Sequence, residues 1–166
     1  MFIGSEDNVL ERYYLASKNY KNHNIVRITG DCPLVDSSLL DKMIDYFIAH
    51  NSDYLSNLWP RSFPKGLDIE IFTYQSLKRA YHETNDKYDL EHVTPYIRES
   101  GKFNVTNYSN KNDYSEQRWT VDWPDDFELI KEIFINFSPE IFFSWEDVMT
   151  LSPVSYTHLR AHETRP

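Results

Sequence analysis

The sequence predicts an α/β fold, one domain built in three layers. Three observations predict it. Short apolar runs alternate with stretches of helical period along most of the chain. One run, Ile25 to Ile28, stops at Gly30, and Asp31, Cys32 and Pro33 follow. A carboxylate therefore stands at the carboxyl end of a strand. A second run, Trp119-Thr120-Val121, repeats the arrangement, with Asp122 just before a helix that Pro124 opens. In open α/β sheets the crevice beyond such strand ends is where ligands bind.

The elements follow in order. Ser5 is expected to cap a helix reaching Tyr20, with Val9, Tyr13, Ala16 and Tyr20 along one face. Ile25 to Thr29 reads as a short buried strand. Asp36 or Ser37 caps a second helix to His50, whose core face is Leu39, Leu40, Met43, Ile44, Phe47 and Ile48. Asp53 to Ser56 is a short strand, and Leu58 to Lys65, with Pro60 and Pro64, a loop. Gly66 to Phe72 alternates apolar and acidic residues, the pattern of a strand with Asp68 and Glu70 on one face. Thr73 caps a helix over Tyr74 to Glu83. A further helix covers Leu90 to Glu99, with Pro95 opening or bending it. Phe103 to Tyr108 and Arg118 to Val121 are expected strands. Pro124 suits a first helical position, and Asp125 and Asp126 favour the same helix start by charge. Leu129, Ile130, Ile133, Phe134 and Phe137 give that helix its buried face. Ser144 caps a last short helix through Leu151.

Residues 1–153 are read as one domain. The stretch from Val154 to Pro166 reads as the translation of a sequencing adapter, so its His158 and His162 are not taken as a metal pair. The start lacks the strand that a βα unit would supply before Gly4.

Composition narrows the function. The formal net charge is −9, and setting the tail's two arginines and one glutamate aside makes it one unit more negative. That argues against nucleic acid or an anionic membrane as partner, though one bound nucleotide with a metal ion remains compatible. The single cysteine, Cys32, leaves no internal disulfide and fits a reducing, cytoplasmic setting. No apolar run approaches the length of a membrane span.

The candidate chemistry rests on a few side chains. Asp31 and Asp122, if they meet at one crevice, suit magnesium, which favours one or two carboxylates together with water and phosphate oxygens. As plain structure, Asp31 is a turn residue and Asp122 a helix cap. Asp68 and Glu70 are either the solvated face of an edge strand or a polar wall for sugar hydroxyls. His92 is either structural or substrate-facing. Arg118 is either a surface ion pair or a bidentate anion ligand. Cys32 lacks an activating neighbour and is no nucleophile. The chain carries no glycine-rich phosphate loop.

Taken in order, Gly4 to Tyr13, Arg27-Ile28-Thr29-Gly30-Asp31-Cys32-Pro33-Leu34, Asp53 to Asn57, Pro64 to Phe72, Glu91-His92-Val93-Thr94-Pro95-Tyr96-Ile97 and Arg118-Trp119-Thr120-Val121-Asp122 resemble the cytidylyltransferase family. The likeness is to its spore coat polysaccharide biosynthesis branch, related to the CMP-KDO and acylneuraminate cytidylyltransferases. It covers nearly all of residues 2–152. The resemblance implies a nucleotide-binding α/β/α sandwich with a mostly parallel, mixed sheet whose first strand and phosphate loop are missing here. It implies transfer of CMP from CTP to a sugar, with release of pyrophosphate, for cell-surface polysaccharide synthesis. An acidic sugar such as a nonulosonic acid is expected. By the same resemblance Asp31 and Asp122 hold Mg2+ and are the catalytic pair, Asp68, Glu70, His92 and Arg118 bind substrate, and a homodimer is compatible. A fragment without the phosphate loop is expected to be inactive. The competing readings are a nucleotide-sugar-dependent glycosyltransferase, disfavoured by the lack of an Asp-x-Asp motif near Asp31, and a non-catalytic sugar- or nucleotide-binding domain.

Overall fold

The computed structural model describes residues 2–151; the tail expectation for 154–166 lies outside them. Seven helices and four strands alternate among the described residues. They are α1 (Val9–Ser17), β1 (Asn24–Arg27), α2 (Ser37–Ala49), β2 (Tyr54–Ser56), β3 (Glu70–Thr73), α3 (Tyr74–Glu83), α4 (Lys87–His92), α5 (Pro95–Glu99), β4 (Val105–Asn107), α6 (Pro124–Phe137) and α7 (Trp145–Thr150).

The sheet order is β1-β3-β2-β4. β2 and β4 pair in parallel, whereas β3 runs antiparallel to both its neighbours, β1 and β2. The sheet is mixed, as expected, but not mostly parallel: β3 runs in reverse between β1 and β2, so two of the three pairings are antiparallel. The strand period of two sends alternate residues to opposite faces. Leu55 and Ile71 pack with α2, α6 and α7 through Met43, Phe47, Ile130, Ile133, Trp145 and Val148. Tyr54 and Phe72 face the other way, onto Leu10 and Tyr14 of α1, Leu77 and Ala80 of α3 and Ile97 of α5. These two cores make the three layers. No helix among the described residues is long and apolar enough to cross a membrane.

Several local expectations change. Asn8, not Ser5, caps α1 by accepting from the Glu11 N–H, and the helix stops at Ser17. Its deeply buried face is Leu10 and Tyr14, one residue on from the expected Val9 and Tyr13, while Tyr20 is exposed. β1 is an edge strand with Val26 and Ile28 partly open, not a buried one. The helix expected over Leu90 to Glu99 is two helices, because Val93 takes a left-handed φ of 73° and ends α4. Pro95 then opens α5.

The expected strand Arg118 to Val121 is no ladder strand. It forms one isolated parallel bridge, Lys65 to Arg118, with Trp119 N–H donating to the Lys65 carbonyl at 2.6 Å. The cause lies in Gly66, whose φ is 110° and whose missing Cβ would sit 2.6 Å from the Trp119 backbone. The chain turns there rather than running on. The long strand expected over Gly66 to Phe72 shortens for a related reason. The Asn57 side chain donates to the Leu67 carbonyl at 2.7 Å and accepts from the Ile69 N–H at 3.0 Å, doing with an amide what a neighbouring strand would do with its backbone.

Candidate active site

The carboxyl ends of β1 and β2 lie on one edge of the sheet, and β3 begins there because it runs in reverse. The turn after β1 is closed by the Cys32 N–H donating to the Thr29 carbonyl at 3.2 Å. The Asp31 carbonyl accepts from the Val121 N–H at 2.9 Å. That one bond brings the two strand-end aspartates onto neighbouring segments, Asp122 being the next residue along.

Asp122 is held from several sides. Arg118 reaches its Oδ2 at 2.5 Å and Asp126 at 3.0 Å, and Thr120 Oγ1 donates to the same Asp122 oxygen at 3.3 Å. Asp126 also accepts from the Asp122 and Trp123 N–H groups at 2.9 and 3.0 Å, which seats the segment on the start of α6. Burial works to raise the Asp126 carboxyl, but Arg118 and the two backbone donors outweigh it and hold it below the usual range. Asp31, by contrast, has only the distant thiol of Cys32, 3.7 Å from its Oδ1. No basic side chain occupies it among the described residues.

The donor chemistry of Asp31 and Asp122 suits a hard cation such as magnesium. The donors are hard oxygens, Asp31 is unclaimed by any cation, and Asp122 keeps its Oδ1 clear of Arg118. Two carboxylates suffice where phosphate oxygens and water complete the shell. No cluster of three or more His, Cys, Asp or Glu ligands exists among the described residues, which disfavours a protein-only metal cage.

The other expected residues are distributed unevenly. Asp68 is clamped bidentately by Arg61 at 2.6 and 2.9 Å and accepts from the Gly66 N–H at 3.2 Å. It stays near the Asp31 turn, since its charge and backbone act on the Cys32 thiol. Burial pushes that thiol up, and the neighbouring Asp68 and Asp31 charges add to the effect, which disfavours a thiolate at Cys32. Glu70 lies deeper, at 6% exposure. Its Oε1 accepts from Tyr54 at 2.7 Å and Thr94 at 2.6 Å, and its Oε2 is paired with Arg27. His92 is exposed at the end of α4 and edge-on to Tyr88 at 4.4 Å. No hydrogen bond or ion pair joins it to the other five.

Sequence reasoning missed Arg27, Arg61, Tyr54, Thr94, Trp59 and Arg98 around these carboxylates. A signal existed for Arg27 and Thr94: a buried glutamate must find donors, and both stand in the ordered motifs. A separate groove of about 600 Å³ runs along α1 and the start of β1, past Tyr13, Tyr20 and Ile25. It includes none of the six expected residues and lies away from the strand-end carboxylates.

Residues 1–151 match the sequence profile of a family described as cytidylyltransferase. The chain belongs to the cytidylyltransferase family. It is 32% identical over 146 residues to the spore coat polysaccharide biosynthesis protein SpsF of Bacillus subtilis, covering 81% of this chain and 56% of that protein. It is 40% identical over 136 residues to an uncharacterized protein of Methanocaldococcus jannaschii, covering 80% of this chain and 55% of that one. Among solved structures, a cytidylyltransferase from Leptospira borgpetersenii serovar Hardjo-bovis superposes with a TM-score of 0.86 at 34% identity, over 98% of this chain and 69% of that chain. The chain thus spans a little over half the length of these two curated relatives.

Proposed function

We propose that the protein carrying this chain transfers CMP from CTP to an acidic sugar, releases pyrophosphate, and serves cell-surface polysaccharide synthesis. The observation that supports the reading is the Asp31–Val121 backbone bond, which ties the Asp31 turn to the residue before Asp122. Family membership supports the cytidylyl chemistry, and SpsF's name supports the polysaccharide setting. The single cysteine supports a cytoplasmic reaction.

Asp31 and Asp122 would hold Mg2+, which when bound supplies neutralisation of phosphate charge. The chain's own residues do the rest. Arg118 pairs with both Asp122 and Asp126 and offsets one of their two negative charges. The α6 start fixes the Asp122 backbone, so the carboxylate is oriented before ligand arrives. Arg61 pairs bidentately with Asp68 and offsets its charge.

Mn2+, a paramagnetic stand-in for Mg2+, tests the site. CTP is expected to tighten Mn2+ binding by the chain, and Asp31→Asn is expected to remove that gain. Tightening that survives both Asp31→Asn and Asp122→Asn overturns the metal assignment. Pyrophosphate released from CTP and a sugar acid supports the reaction class, whereas a nucleoside phosphate released from a sugar nucleotide replaces it with glycosyl transfer.

A further inference from the structure

We propose that Arg27, held by the buried Tyr54–Glu70 pair, and Arg98, stacked on the exposed Trp59 ring, form the subsite that reads an anionic group on the acceptor sugar. The inference rests on the acidic-sugar reading above and assigns it to residues.

The argument begins with Glu70. Both its oxygens are filled by protein donors from three elements, Arg27 of β1, Tyr54 of β2 and Thr94 at the head of α5. It therefore has little left to offer a ligand, and its role is to orient. What it orients is Arg27. Only Nη1 of that guanidinium is engaged by a protein acceptor among the described residues, and the side chain is partly open. A guanidinium has five N–H donors in a fixed fork suited to carboxylate or phosphate. Arg27 also lies four residues before Asp31 on the same chain segment, so it faces the same edge of the sheet.

Arg98 supplies the second cation. Its charge acts on the Tyr54 hydroxyl, as that of Arg27 does. Its guanidinium lies over the Trp59 ring, 4.9 Å from the centroid. Its acidic partner is the adjacent Glu99, whose side chain is 62% exposed. An exposed pair of this kind is worth little, so an incoming anion displaces Glu99 at small cost. Each arginine thus has its own carboxylate, Glu70 for Arg27 and Glu99 for Arg98, and the exposed second pair is the one that an incoming anion opens. Trp59 is 59% exposed, an unusual position for the largest aromatic side chain. It follows β2 at the same sheet edge, with its N–H held by Asn107 of β4 at 3.0 Å. A flat apolar ring beside a cation pair suits a sugar ring carrying a carboxylate better than a bare phosphate chain.

The test uses N-acetylneuraminate as a nonulosonic acid, its uncharged methyl ester, and inorganic tripolyphosphate, each titrated against tryptophan fluorescence without CTP. The acid is expected to bind at least about tenfold more tightly than the ester, the size of one charge-assisted hydrogen bond. Arg98→Gln is expected to remove most of that preference and leave ester binding unchanged. Arg27→Gln alone strands Glu70 as a buried charge and risks unfolding. The double variant Arg27→Gln with Glu70→Gln keeps a neutral hydrogen bond and is expected to lose the preference as well. Equal binding of acid and ester, or a preference untouched by Arg98→Gln, overturns the proposal. Arg98-dependent binding of tripolyphosphate without binding of the acid also overturns it, in favour of nucleotide phosphates. The Mn2+–CTP titration of the unaltered chain is independent. If it fails while the acid preference holds, the nucleotidyl reading falls and this one stands; the reverse result sinks this one alone.

Discussion

Single residues decide much of this site. Gly66 is the clearest case, because two physical demands coincide there. Its φ of 110° excludes ordinary side chains, and a Cβ would meet the Trp119 backbone at 2.6 Å. Gly66→Ala is expected to destabilise the chain by about 1–3 kcal/mol and to loosen the Trp119 to Asp122 segment. Urea unfolding followed by tryptophan fluorescence measures the loss. A variant as stable as the parent would mean that the close approach is not maintained in solution. The glycine itself was visible in the sequence, at the head of an alternating run. Its partner was not, since fifty-odd residues separate it from Trp119. Glu70 shows the same limit. Alternation put it on a face with Asp68 and suggested one polar wall. The structure gives the two carboxylates different arginines, Arg61 for Asp68 and Arg27 for Glu70, and buries only the second.

Elements were more legible than their contacts. Helix α2 with Asp36, α3 with Thr73, α6 with Pro124 and α7 with Ser144 all begin where capping chemistry predicts. Caps are local, so sequence carries them. The break at Val93 was not legible, because a buried β-branched residue with positive φ contradicts local preference and survives only through packing. Asp36 adds a task that local rules do not reveal. One oxygen caps α2 at the Leu39 N–H, 2.7 Å away, and the other accepts from the Trp145 N–H at 2.9 Å, the first residue of α7. It satisfies two helix starts from a buried position. Asp36→Ala is expected to cost about 2–3 kcal/mol, a lost cap plus a stranded buried donor. Asp36→Asn is expected to recover part of it. Thermal unfolding of both variants checks the order, and equal melting temperatures for Asp36→Ala and the parent would exclude the bridge.

At the scale of the molecule, acid stability has an identifiable contributor. Glu83, at the end of α3, accepts from Lys102, Tyr96 and Arg79, and these bonds hold its carboxyl down to about 2. A folded value below the unfolded one means that the contribution is complete above the usual carboxylate range, roughly 4.3. It fades as pH falls toward 2. Lys102→Ala is expected to move the Glu83 titration upward, read by carboxyl carbon NMR. A titration that stays put would show that the exposed cluster is not populated.

By itself, the sequence determined the α/β class, the starts of α2, α3, α6 and α7 and the turn that carries Asp31 after β1, because periodicity and capping act within a few residues. The ordered motifs carried the family. Only the tertiary structure decided that β3 runs in reverse between β1 and β2, that the Arg118 segment joins through a bridge instead of a ladder, and that Glu70 takes its donors from β1, β2 and the head of α5. It also decided which arginine meets which acid. Those outcomes depend on contacts between residues distant in the chain, where burial forces each charge to find whichever partner the packing brings near.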